Sequence, residues 1–439
     1  MLAVVVALVA APAAGARAKR HPILFVHGVE GTGAQFESQA MRFITNGYRH
    51  AWIDEVDYDS TRAVADQSEV QAQIDAKIAA LKRRTGAKKV DLVGHSLGTF
   101  VSHDYLTDPD KGAQRRANVA HYVNVDGQSS KPGVPTLALW AGRRAGTTTG
   151  ADAHPHMDGA KNVTIPNQTH VQTCTSGRAF VAMYKFLTGK LPAHDIVRQR
   201  GTIKLAGRAL TFPQNAGLAG ATIQVWALKA DGHRATAKPH AALRITDGSQ
   251  GGGHWGPISA QAGRHYEFAI VQTGKPTLHY YYEPFVRSDY TVRLLDSDAL
   301  TVYAGNRPGS ESAVNIRYKE LWGDVPHQTD VLRINGTSIC TADLCPWTKQ
   351  VNAYFAFDNN RNRKTDLTPD PVVGNLPFLT AADVFIPAGL TAAGTTTFSL
   401  RSRGTGPVRT VKTPSWDSTN DGVVVQWQDF EPREVAATR

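Results

Sequence analysis

Apolar residues over the first 190 positions follow two alternating patterns. Short apolar-rich runs at Ile23–Val26, Ile53–Val56, Lys88–Val93, Val119–Val125, Pro135–Trp140 and Asn162–Ile165 have the length expected of buried parallel strands. Longer segments between them carry apolar residues at helical spacing. Ala63–Arg84 puts Val70, Ile74, Ile78 and Leu81 on one face and meets Gly86, a helix stop. Gly177–Leu187 repeats this with Phe180, Tyr184 and Leu187 and stops at Gly189. Strands alternating with helices of this length predict a parallel sheet covered on both faces.

The pattern changes at Lys190-Leu191-Pro192. Beyond it helical spacing disappears, and strand-like runs such as Thr222–Trp226, His265–Val271 and Tyr290–Leu295 recur between Gly, Pro, Asn and Asp. Asp247–Gly253 reads as a loop, and Asp296–Ala299 as a break. The expected organisation is a leader at 1–18, an α/β unit at 19–194, and β-rich units at 195–298 and 299–439 that could equally form one domain. A length of 439 residues suits two or three domains.

The leader has an apolar run from Leu2 to Ala11 followed by small residues, with A-x-A sites ending at Ala16 and Ala18. That length suits a signal peptide and is too short to span a bilayer, so a secreted, extracellular protein is expected although no Lys or Arg precedes Arg17. No other stretch is apolar enough for a membrane span. A net charge of +10 comes from scattered basic pairs without a nucleic-acid motif, so it is assigned to solubility, with attraction to anionic surfaces as the alternative. Nucleic acid is not an expected partner. Of three cysteines, Cys340 and Cys345 flank the turn-like segment TADL, which makes a disulfide between them the simplest pairing and leaves Cys174 over.

The chemistry centres on Gly94-His95-Ser96-Leu97-Gly98. This pentapeptide lies between a buried strand and a helix, the arrangement of a nucleophile elbow in an α/β hydrolase. A serine hydroxyl needs a base to take its proton and a carboxylate to orient that base. His170 follows the last predicted strand and precedes the last helix, which suits the base. Asp126 directly follows Val119–Val125 and suits the acid, with Asp152 and Asp158 in the next loop as alternatives. His95 and His103 are read as structural. The oxyanion would be bound by the N–H groups of Leu97 and of Val29, the latter after Val26-His27-Gly28. Neither a cofactor nor a metal is required. Asp358, Asn360, Asn362 and Asp366 have oxygen side chains, but Arg363 stands where a calcium loop wants Gly, so they read as a solvated turn.

The stretches ILFVHGVEG, DLVGHSLGTF and DGAKNVTIPNQTH resemble the small secreted bacterial lipases of minimal α/β hydrolase fold, over about residues 21–190. The architecture beyond is similar to lipases in which such a core is followed by a C-terminal β-domain. In that group the acid follows the strand after the elbow, which favours Asp126. The small lipases take theirs from the next strand end, and here Arg143–Gly150 contains no aspartate. The resemblance implies an α/β hydrolase core, an all-β C-terminal region and hydrolysis of acylglycerols, so the expected activity is that of a triacylglycerol lipase. A carboxylesterase or a polyester or cutin-type hydrolase is the alternative within the same chemistry, and a surface- or lipid-binding protein is the alternative from another class. The expected partner is a lipid or ester substrate, including at an interface, and the expected state is a monomer.

Two further expectations concern particular segments. Gly31–Tyr48 reads as an amphipathic helix packed on the core, with a lid or an acyl-pocket wall as the alternative. Tyr280, Tyr281, Tyr282 and Phe285 form an aromatic cluster suited to lipid contact, with burial expected for about half of it. A core of about 170 residues can be catalytically complete, so residues beyond Lys190 need not supply chemistry and are expected to hold lipid or polymer near the site or to extend the acyl pocket.

Overall fold

Ile23, Leu24, Phe25 and Val26 form the first strand because each side chain meets an apolar face: Ile23 and Phe25 join the cluster on one side of the sheet, Leu24 and Val26 that on the other. The structure, a computed structural model, describes residues 20–144, 155–389, 394–404 and 406–430. The expected leader lies outside them. The N-terminal unit runs β1 (Ile23–Val26), α1 (Glu37–Thr45), β2 (Ile53–Val56), α2 (Ser60–Ala63), α3 (Ser68–Thr85), β3 (Val90–His95), α4 (Leu97–Thr107), α5 (Gly112–Asn118), β4 (Val119–Val125), β5 (Thr136–Ala141), β6 (Lys161–Ile165), α6 (His170–Thr175) and α7 (Gly177–Thr188). Its six strands form a parallel sheet in the order β2-β1-β3-β4-β5-β6. Helices cover both faces, which is the α/β hydrolase architecture expected.

Val70, Ile74, Ile78 and Leu81 are buried as expected, and Gly86 closes α3 with φ 71°. The expected helix from Ala63 is divided, however. Asp59 caps the short α2 through the N–H groups of Thr61 and Arg62, and α3 starts afresh at Ser68. Phe36, just before α1, and Met41 and Phe43 within it are buried, so this segment packs on the core.

Strand order places the site. The chain leaves β1 for β2 and returns to β3 on the other side of β1, so a crevice opens at the carboxyl ends of β1 and β3, where such sheets bind ligands. The turn after β3 is the Ser96 elbow.

The C-terminal strands are β7 (Thr202–Thr211), β8 (Thr222–Ala227), β9 (Ala241–Arg244), β10 (His254–Gln261), β11 (Tyr266–Val271), β12 (Thr277–Tyr282), β13 (Asp289–Asp296), β14 (Ala313–Leu321), β15 (Val331–Ile334), β16 (Thr337–Ser338), β17 (Val351–Phe357), β18 (Leu379–Asp383), β19 (Thr395–Arg401), β20 (Arg409–Pro414) and β21 (Asp421–Gln426). They form sheets ordered β10-β7-β13, β18-β17-β14-β21-β12-β11-β8-β9 and β16-β15-β19-β20. The long sheet draws strands from both sides of the break at Asp296–Ala299, because β21 pairs in parallel with β12 and β14. Both its faces are covered. Tyr280 and Tyr282 enter one core cluster and Tyr281 the other, and Phe285 is buried with them. The aromatic cluster is therefore interior and forms no patch at the outer surface, while Tyr280 lines the internal cavity that reaches Ser96.

Cys340 and Cys345 are side by side, buried, and unbridged. The expected disulfide is not shown by this structure, in which both are thiols. Backbone bonds from Cys345 N–H to Thr341 O (2.9 Å) and from Gly323 N–H to Cys345 O (2.7 Å) already close this turn. Cys174 is also a buried free thiol.

The β-region docks on the core through a buried ion cluster. Asp57, just past β2, accepts from Arg208 Nη1 at 2.6 Å and Arg293 Nε at 3.0 Å, and also takes the Gly33 N–H at 2.6 Å. Arg293 reaches Glu55 at 3.3 Å. Burying a charge is tolerated only where it is paired in this way.

Candidate active site

The turn from β3 into α4 is sharp enough to force Ser96 to φ 52°, ψ −124°, a strained conformation for a residue with a side chain. Two glycines make the turn fit. A Cβ on Gly94 would meet Gly98 O at 2.5 Å, and one on Gly98 would meet Val26 O at 2.3 Å. Ser96 O is held by Thr99 through its N–H (2.9 Å) and its hydroxyl (2.7 Å).

His170 opens α6. Its Nδ1 donates to Asp126 Oδ2 at 2.7 Å. Asp126, at the end of β4 with φ 50°, is almost wholly buried. Its other oxygen accepts the Ala141 N–H at 2.9 Å and the Arg144 guanidinium. Burial alone would raise its carboxyl, but the hydrogen bond and charge of His170, with Ala141 and Arg144, hold it below the usual carboxylate range. The strand end that carries the acid in the small lipases thus supplies an arginine against Asp126 here. Asp158 lies fully exposed beside His156, and Asp152 lies outside the described residues.

His95 is buried, and its Nε2 donates to the His170 carbonyl at 3.0 Å, so the elbow itself ties down the His170 segment. Burial and the neighbouring His170 lower its pKa to about 3, which keeps this donor neutral. His103 lies on α4 against Asp104, away from these groups.

The loop after β1 completes the site. Gly28 packs so close to the elbow that a Cβ there would sit 2.8 Å from Ser96 Cβ and 3.3 Å from Ser96 Oγ. Among the described residues neither the Val29 nor the Leu97 N–H has an acceptor within the protein. The loop is fixed by bonds to its neighbours: Gly31 N–H to Gly28 O (3.2 Å), Glu30 N–H to Ser60 Oγ (2.7 Å), and Gly28 N–H to Gln35 Oε1 (3.4 Å). His27 is stacked on Tyr58 and accepts its N–H at Nε2 (3.3 Å), and burial lowers its pKa to about 4.

Gly28, Val29, Ser96 and His170 open into one cavity of about 150 Å³. The cavity continues between core and β-region, where Leu278, Leu295, Leu300, Ile316, Phe355 and Leu379 give it an apolar wall. Two β-region residues also reach the site by hydrogen bonds. Asn215 contacts the loop after β1, and Glu320 contacts the residues flanking His170. Sequence reasoning missed both, since each sits in the β-region, more than a hundred positions from its partner, with no motif around it.

Residues 20–124 match the family model described as lipase (class 2), residues 201–299 that of the lipase C-terminal domain, and residues 304–431 a further C-terminal domain model. Similar solved structures include a CIB-like hydrolase from Thermoplasma acidophilum, at 14% identity over 40% of this chain and 90% of that one, with a TM-score of 0.29. Aspergillus fumigatus lipase B aligns at 12% identity over 42% of this chain and 56% of its own length, with a TM-score of 0.31. A Bacillus subtilis carboxylesterase aligns at 11% identity over 39% of this chain and 85% of its own, with a TM-score of 0.27. Two of the three segments, residues 20–124 and 201–299, are thus similar to lipase domains.

Proposed function

We propose that this ester hydrolase of the lipase kind is a serine enzyme acting on long-chain acyl esters, triacylglycerols among them. Ser96 Oγ attacks the ester carbonyl carbon while His170 Nε2 takes its proton. Asp126 holds the imidazole in the tautomer that leaves Nε2 free to accept. The oxyanion of the tetrahedral intermediate lies against the Val29 and Leu97 N–H groups. Collapse breaks the ester C–O bond, and His170 returns the proton to the departing alcohol. Water, activated by the same histidine, then releases the fatty acid from Ser96.

The observation that carries this reading is the single cavity joining Ser96 and His170 to the apolar wall of the β-region. An acyl chain bound there leaves water along its length, and each buried methylene contributes about 0.8 kcal/mol. That favours a long acyl chain over acetate. A substrate series from p-nitrophenyl acetate to the palmitate ester and emulsified long-chain triglyceride tests it. Rising kcat/KM with chain length is expected, and a maximum at acetate would assign the enzyme to short-chain esters.

The apolar leader at Leu2–Ala11 supports export, with cleavage after Ala16 or Ala18. N-terminal sequencing of protein recovered from the medium tests this.

A further inference from the structure

Glu320 lies in β14, where the pairing with β17 shifts register between Ile316 and Leu321. Its backbone is left-handed (φ 69°), and its side chain is fully buried. Irregularities of this kind re-aim a side chain out of the sheet. The carboxylate points at the His170 segment and accepts the Thr169 hydroxyl, the Gln172 N–H at 3.2 Å and the Trp322 indole N–H at 2.7 Å. Thr169 is the N-cap of α6, yet its hydroxyl makes no cap bond within the helix. A helix normally closes its first turn with its own N-cap side chain. Here the Gln172 N–H is satisfied from the β-region instead, one residue on either side of the His170-Val171 pair.

Asn215 makes the matching contact on the other loop. It is fully buried with φ 58°, and its Nδ2 donates to Gly31 O and Tyr58 O, each at 2.9 Å. It thereby ties the loop after β1, which carries the Val29 N–H, to the residues after β2. An N–H that must stay unpaired until the oxyanion forms cannot help fix its own loop, so the support has to come from neighbours.

We infer that Glu320 and Asn215 are positioning residues for ester hydrolysis, so that the β-region holds the base-bearing loop and the oxyanion loop in register as well as lining the cavity. This adds a positioning role to the substrate handling expected of residues beyond Lys190. It rests on the roles proposed for Ser96, His170 and Val29.

The test uses the full-length enzyme and p-nitrophenyl acetate, whose acyl group is too short to use the apolar wall. Glu320→Ala and Asn215→Ala are each expected to lower kcat by roughly 10- to 100-fold, the scale of a small misplacement of reacting groups. KM is expected to stay within about 3-fold, because ground-state binding is untouched. Glu320→Gln should retain several-fold more kcat than Glu320→Ala, since the amide oxygen still accepts from Thr169 and Gln172, although the amide NH2 gives up the Trp322 bond. Should Glu320→Ala fail to fold, Thr169→Val removes one of these bonds and keeps the shape, and it should itself lower kcat several-fold. Wild-type kcat in folded variants, a change confined to KM, or Glu320→Gln no better than Glu320→Ala would overturn the inference. Ser96→Ala separates the two readings. If it remains active, the serine mechanism fails. If it is inactive while the Glu320 and Asn215 variants keep wild-type kcat, the positioning role alone fails.

Discussion

Asp126 Oδ2 lies 2.7 Å from His170 Nδ1, although 44 positions separate them in the chain. The end of β4 delivers the carboxylate and the start of α6 the imidazole. The second carboxylate oxygen is occupied by Ala141 and Arg144, which fixes the angle at which the first meets the ring.

Asp126→Asn tests whether this contact sets the tautomer. The amide can donate to Nδ1, which moves the proton to Nε2 and blocks it as a base. A loss in kcat of about 10⁴-fold is expected, as for other triads. Asp158→Asn, at an exposed position away from His170, should keep wild-type kcat. Steady-state kinetics on both variants checks this, and equal losses would contradict the assignment.

Gly28→Ala separates catalysis from stability. Its Cβ, 2.8 Å from Ser96 Cβ, must push the loop after β1, the proposed oxyanion loop, away from the serine. A kcat loss of about 10²-fold is expected. Gly86→Ala has open space around it but needs φ 71°. It should lower stability by about 1 kcal/mol and leave kcat alone. Parallel kinetics and thermal melts distinguish the two.

Filling the apolar end of the cavity should change chain-length preference. Ala353 lines it, so Ala353→Phe should reduce hydrolysis of palmitate relative to acetate esters by about 10-fold or more. An unchanged ratio in the folded variant would move the acyl chain elsewhere.

Buried histidines set opposite pH limbs of stability. Burial holds His27 at about 4, and burial with the nearby His170 holds His95 at about 3. Unfolded histidine takes its proton near 6.5, so their contribution is complete above about pH 6.5 and is lost as pH falls toward 4. His279 behaves in reverse. Burial lowers its pKa, but hydrogen bonds and charge from Asp421 and Glu267 outweigh this and raise it. Its contribution is complete below about pH 6.5 and is lost as pH rises through the raised value. Melting temperatures measured from about pH 4 to 9 should therefore fall at both ends. His279→Gln should flatten the alkaline fall and leave the acid one.

The elements legible in the sequence were those whose signals are local. The Gly94–Gly98 turn, the His27-Gly28 pair and the aspartate that follows Val119–Val125 each need only a few neighbouring residues to be read. The tyrosines at 280–282 were not legible in this way, because alternation assigns faces but cannot say that both faces of the sheet are covered. The divided helix near Ala63 was hidden because Asp59 caps a four-residue turn that periodicity does not register. Glu320 and Asn215 were invisible for a stronger reason. Their partners are 151 and 184 positions away, and only the docking of the β-region on the core brings them together.

The central claim is that Ser96 is the nucleophile. Treating the full-length enzyme with a fluorophosphonate ester and locating the adduct by peptide mass spectrometry tests it most directly. A single adduct on Ser96, formed in step with loss of esterase activity and absent from a folded, inactive Ser96→Ala variant, is the predicted result. An adduct at another residue, or esterase activity persisting in folded Ser96→Ala, would contradict it.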